Sequence, residues 1–153
     1  MADISIIEGI TTEHLAEVYS DQYIQRIGYD YRPAAPVVHP LATYLSAWVS
    51  GKFVGAFLAI RHTLYEYELH ALLLKSAITK SRDLGKMAIS WAFSFKDVLR
   101  VTTHIPESLK SAINYVKKIG FIVEGKRRHG CIKDSIIQDI YLFGITREEW
   151  GAL

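Results

Sequence analysis

The period of the hydrophobic positions changes several times along the chain, and each change marks an element. Ile4, Ile6 and Ile7 form a short β-like run that Gly9 ends. Thr11 or Thr12 can cap a helix, with Glu13 favourable in its first turn. Leu15, Val18, Tyr19, Gln22, Tyr23, Arg26 and Ile27 follow at spacings of three and four, which predicts one amphipathic helix closed by Gly28. Residues 29–40 hold Pro33, Pro36 and Pro40 and show no helical period. They predict an ordered loop that either lines a cleft or simply connects. Tyr44–Val49 and Phe53–Ile60 are β-rich and flank Ser50-Gly51-Lys52, a hairpin signal. With Tyr65–Leu74 they predict three sequential antiparallel strands.

A polar turn over Lys75–Ser81 then leads into a helix in which Leu84, Met87, Ala88, Trp91, Ala92 and Phe95 recur at helical spacing. Val98–Ile105 reads as a strand stopped by Pro106. Glu107–Lys118 reads as a helix, with Pro106 at its start, Leu109, Ala112, Ile113 and Val116 on one face, and Gly120 beyond its end. Phe121–Glu124 begins a strand, Ile136–Ile145 forms the last, and the basic, polar Gly125–Lys133 between them predicts a hairpin loop. The order β-α-β-β-β-α-β-α-β-β implies an α/β (α+β) fold with a mixed central sheet of about seven strands flanked by helices.

Composition bounds this picture. At 153 residues, 50% hydrophobic and 22% charged, the chain fits one domain spanning 1–153 with a real core. A net charge of +2 says little about partners. The basic cluster Lys117-Lys118 and Lys126-Arg127-Arg128 is either an anion-attracting patch or a solvated face, and no aromatic ladder accompanies it to suggest nucleic acid. Cys131 is the one cysteine, so no intramolecular disulfide forms and a reducing compartment fits. The start carries no basic and apolar leader, and no apolar run reaches ~18 residues, so a cytoplasmic protein without membrane spans is expected.

Candidate chemistry gathers on Tyr65–Phe95. A strand–turn–helix junction exposes N–H groups at a helix start and attracts phosphate. Glu66, Glu68, His70 and Leu72 alternate onto one face of the strand, making Glu68 and His70 neighbours. The pair is either a base for an amine or a hydrogen-bonded structural pair. His104 at a strand end and His39 in the proline-rich loop are either cleft-facing or ordinary polar positions. Cys131 has no histidine partner for nucleophilic work, and His129 with Cys131 is too small a set for zinc, so no metal is expected.

The run Ser111-Ala112-Ile113-Asn114-Tyr115-Val116-Lys117-Lys118-Ile119-Gly120-Phe121, with Glu124-Gly125 and Gly144-Ile145-Thr146-Arg147-Glu148-Glu149-Trp150, resembles the GCN5-related N-acetyltransferase (GNAT) fold. The likeness covers roughly residues 40–150 and is strongest to bacteriophage-encoded GNAT-like proteins, some labelled head assembly proteins of short-tailed phages. It implies acetyl-CoA as cofactor, with its pyrophosphate at the junction. The family signature there is Arg or Gln, two residues, Gly, one residue, then Gly or Ala. Arg82-Asp83-Leu84-Gly85-Lys86-Met87 keeps the first two anchors and puts Met87 at the third.

The resemblance assigns cofactor contacts to Ser81, Arg82, Leu84, Gly85 and Lys86, and a carbonyl-polarising backbone N–H to the region of Leu72, Leu73 and Leu74. Leu109 stands where the family places a cofactor-binding Asn, and Val116 where it places a Tyr acid. Tyr115 is one place away, turned ~100° on a helix. The catalytic candidates are therefore Glu68, His70 and Tyr115. Two functions remain open: an acetyl-CoA-dependent N-acetyltransferase acting on a small-molecule or protein amine, or a catalytically inactive phage protein partnering head or virion proteins.

Overall fold

In the computed structural model, residues 3–30 and 34–153 are described. The isoleucine run forms β1 (Ile4–Glu8), and the hairpin and the strand after it form β2 (Ala42–Val49), β3 (Lys52–Thr63) and β4 (Glu66–Leu73). These four pair antiparallel in sequence; the links from β2 to β3 and from β3 to β4 are short, whereas α1, α2 and the proline-rich loop lie between β1 and β2. β5 (Arg100–Pro106) pairs parallel to β4. The hairpin β6 (Ile122–Lys133) and β7 (Ile136–Thr146) then folds back so that β7 lies next to β5. The result is one mixed seven-stranded sheet in the order β1-β2-β3-β4-β5-β7-β6.

Side-chain alternation along β4 divides the core between the two faces of the sheet. Tyr67 and Leu69 pack with α3 (Ser81–Phe93) and α4 (Lys110–Ile119), through Leu84, Ala88, Ala92 and Val116. Leu72 packs on the other face with Leu58, Val18 of α1 (Thr12–Ser20) and Ile24 of α2 (Gln22–Gln25). The terminal α5 (Arg147–Gly151) opens with a capping box between Thr146 and Glu149. Its Arg147 guanidinium donates to the carbonyls of Phe93, Phe95 and Val98 at 2.9–3.0 Å, tying α5 to the end of α3 and the segment that follows it. No described helix is long and apolar enough to cross a membrane.

Several expectations are corrected. The first helix is not continuous: its period is broken at Asp21, which ends α1 and caps α2 by accepting from Ile24 N–H at 3.0 Å. Pro106 does not start a helix. It ends β5 opposite Ile140, and α4 begins only at Lys110. Lys75–Lys80 is a 3-10 helix that abuts α3, in place of an open polar turn. On α3 the buried residues include Gly85, Ile89 and Phe93, whereas Met87 and Trp91 are half-buried.

The predicted basic loop Gly125–Lys133 is strand, and makes up most of β6. As an edge strand with two register shifts, it has little buried face and no steady alternation to reveal it. Of the proline-rich loop, Tyr31, Arg32 and Pro33 lie outside the described residues. Ala34 is held by the Gln25 side-chain amide (2.9 Å), and Val37 N–H by the Tyr44 hydroxyl (2.9 Å).

Candidate active site

The site begins with a break in the sheet. β4 and β5 pair at Glu66–Glu68 and Arg100–Thr102 and no further. Beyond that point the strands part, and the gap opens into a cleft of about 280 Å³. His70, Ala71 and Leu72 line one edge of the gap, and His104, Ile105 and Pro106 the other. On one face of the sheet the cleft continues between Gly85, Ala88 and Ile89 of α3 and Leu109, Ala112 and Tyr115 of α4. On the other face it reaches Tyr19, Ile27, Ala34 and Val37, so the proline-rich loop does line a cleft. The two halves meet at the parted strands, the arrangement needed to bring two reactants end to end.

The strand edge also decides which backbone donors are free. Leu74 N–H donates to Val54 O at 2.9 Å and is used by the sheet. Antiparallel ladders alternate, so Leu72 and His70 also turn their N–H groups to β3. The N–H groups of Ala71 and Leu73 turn toward the gap. Of the three expected donors, Leu73 has the right direction; Ala71 was not foreseen.

Glu68 anchors a polar cluster at the point of divergence. Its carboxylate bonds His70 Nε2 closely through Oε2 and His62 Nε2 at 2.7 Å through Oε1, and His104 Nδ1 stands 3.9 Å from Oε1. The His70 and His104 rings meet edge to face at 5.0 Å. Burial opposes the charge on Glu68, but the hydrogen bonds and charges of the surrounding histidines outweigh it and hold its carboxyl down at about 2. Burial, reinforced by His70, lowers the His104 pKa below the ordinary histidine value of 6.5. At neutral pH the site therefore holds a fixed carboxylate beside a neutral, half-buried imidazole.

Glu68 and His70 share a face as their spacing on β4 predicts. His104, for which an ordinary polar strand end is the commoner expectation, joins them, and so does His62, which sequence reasoning missed. A signal for both exists in the register. Ile60 and Thr102 flank Glu68, so residues two further on, His62 and His104, fall on its face. His39 stays apart in the loop, where its Nδ1 accepts from Leu41 N–H.

At the helix start, Arg82, Asp83 and Lys86 are exposed and Ser81 is half-buried, while Leu84 and Gly85 are buried. Leu84 thus offers only backbone to a ligand. Tyr115 reaches across from α4, and its hydroxyl donates to Ser81 O at 2.7 Å. A Cβ on Gly85 would collide with that hydroxyl, so this glycine is what lets the two helices approach. Burial pushes the Tyr115 pKa up, and its proton is already directed at a carbonyl. Met87 is half-buried and does not line the cleft, whereas Leu109 and Val116 do.

The fold of this chain is shared with solved structures. The chain is similar to a spermidine N-acetyltransferase from Vibrio cholerae solved with CoA and spermine, at TM-score 0.79 and 12% identity over 96% of this chain and 97% of that one. It is similar as well to a spermidine/spermine N-acetyltransferase from Vibrio cholerae solved with manganese ions, at TM-score 0.77 and 12% identity over 97% and 95%. The fold is that of the GCN5-related N-acetyltransferases. No family model and no curated protein matches the chain. At this identity the likeness carries the GNAT fold, and the chemistry rests on the residues of this chain.

The GNAT fold implies CoA, and the residues present fit such a group. The cleft between the helices is lined by the small residues Ala88 and Ala112, matching a narrow apolar arm, while Gly85 is covered by the Tyr115 hydroxyl. Arg82 and Lys86 are exposed beside the start of α3, where phosphates are favoured. Asp83 is the one opposing charge in that turn. Cys131 has its pKa raised, chiefly by burial, which agrees with an inert thiol.

Proposed function

We propose that this protein is an acetyl-CoA-dependent N-acetyltransferase acting on an amine held in the loop-side half of the cleft. The observation that carries the reading is the Glu68–His70–His104 cluster at the mouth of the β4–β5 gap, where the two halves meet. Acetyl-CoA supplies an activated acetyl group when bound. The protein's part is to orient, to polarise and to remove a proton.

Ser81, Arg82, Gly85 and Lys86 hold the phosphate end, with the backbone of Leu84. The N–H groups of Leu73 and Ala71 face the gap and serve as polarising donors. His104, kept neutral by its burial, takes the proton of the incoming ammonium, and Glu68 stabilises the imidazolium that forms. His70 fixes the Glu68 carboxylate. Tyr115 is a positioning residue that holds α4 against the start of α3, in place of the acid role the resemblance suggested.

The acceptor half is apolar and aromatic, with Tyr19, Ile27, Ala34 and Val37, and no acidic residue occurs among its described lining residues. That surface suits an apolar or aromatic monoamine better than a polycation such as spermine. The second reading, an inactive GNAT-fold protein of phage head assembly or the virion, draws on Met87, Leu109 and Val116. The open gap and the clustered histidines favour the enzyme.

The test is thiol release from acetyl-CoA with a panel of apolar primary amines. Turnover is expected with at least one, falling ~10²-fold or more in His104→Asn with acetyl-CoA affinity kept. Thiol release no faster than without protein, across the panel, contradicts the reading.

A further inference from the structure

We propose that Glu68, His70 and His104 form a binding site for a divalent metal ion of the zinc class. One carboxylate oxygen and two imidazole nitrogens lie within 4.8 Å of one another. A tetrahedral zinc ion with bonds of ~2.0–2.1 Å sets its ligand atoms ~3.3–3.5 Å apart, so only small side-chain rotations are needed to close on it. The donors are mixed nitrogen and oxygen, a set that favours zinc-class ions over magnesium or calcium, which take oxygen alone.

The frame is rigid. Glu68 and His70 stand two residues apart on β4, and the pairing of Glu68 with Thr102 sets His104 at the matching step of β5. His62 lies behind the carboxylate, 2.7 Å from Oε1, where it orients the ligand as outer partners of metal sites do. The side chains are 14%, 23% and 31% exposed for Glu68, His70 and His104, partly shielded yet reachable. His70 and His104 both line the cleft, so the fourth coordination position faces the space an amine would enter. Under the acetyltransferase reading, on which this consequence rests, the metal removes the imidazole that takes the proton. It acts as an inhibitor competing with the amine and not with acetyl-CoA.

The test is titration of the full chain with Co²⁺ followed by visible absorption, then displacement by Zn²⁺. One Co²⁺ per chain with an intense tetrahedral band, lost on adding Zn²⁺, is expected. His104→Gln and His70→Gln, prepared separately, should each weaken binding ~10-fold or more. His14→Gln should not, because His14 packs on Phe53 away from the cluster. No Co²⁺ band, or unchanged affinity in whichever cluster variant folds, overturns the proposal. The optical titration decides the metal site whether or not acetyl transfer is found.

Discussion

Gly85 and Tyr115 show how one missing methyl group sets the spacing of two helices. Gly85→Ala places a Cβ against the Tyr115 hydroxyl and should destabilise the fold by about 1–3 kcal/mol, as overpacking does. Tyr115→Phe removes the hydrogen bond to Ser81 O at a cost of about 1 kcal/mol. The double variant should be more stable than the sum of the single losses predicts, because the clashing atom is gone. Denaturant unfolding of the four proteins measures this coupling, and strict additivity would refute the contact. At the cluster, the acid limb of the rate profile should fall at a pH below 6.5, where His104 gains its proton. His104→Asn should abolish that limb together with most of the rate.

At the scale of elements, the tip of the β6–β7 hairpin is tied to the end of α2. Asp30 accepts from Asp134 N–H at 2.9 Å and Ser135 N–H at 2.6 Å, in a turn where both residues have positive φ. The buried Lys133 ammonium donates to the carbonyls of Arg26 and Gly28. Asp30→Ala should release this clamp, seen as faster hydrogen exchange of the Asp134 and Ser135 amides with little change in the exchange of β4. Another glycine serves the neighbouring strands. Gly144 leaves room for the Glu124 carboxylate, which pairs with Arg100 and so links β6 to β5 across β7.

The sequence made β1 to β5, α3 and α4 legible because an apolar run or a periodic apolar pattern marks each of them, even where, as in β3, both faces are buried. It hid the length of β6, whose edge position leaves its polar residues in water, and the break at Asp21, where one side chain ends the helical period. The cluster was half legible. Glu68 and His70 are two residues apart on one strand, whereas His62 and His104 join only through pairing across the sheet.

For the molecule as a whole, two groups tie stability to pH in the same direction. Glu68 has its pKa depressed from 4.5 to about 2, so its contribution is present above 4.5 and is lost as pH falls toward 2. His104 has its pKa depressed below 6.5, so the folded state resists its protonation and loses stability progressively below that value. The denaturation midpoint should therefore hold near neutrality, decline below pH 6.5 and drop further between 4.5 and 2. Glu68→Gln should flatten the lowest segment, and an unchanged curve would remove Glu68 from the account.

All of these features serve one claim, that the parted strands and the start of α3 receive acetyl-CoA. Calorimetric titration of acetyl-CoA into the purified protein tests it most directly. Saturable binding at a 1:1 ratio, weakened in Arg82→Ala and in Gly85→Ala, is the expected result. The absence of binding heat at millimolar ligand, over a range of temperatures, contradicts the claim.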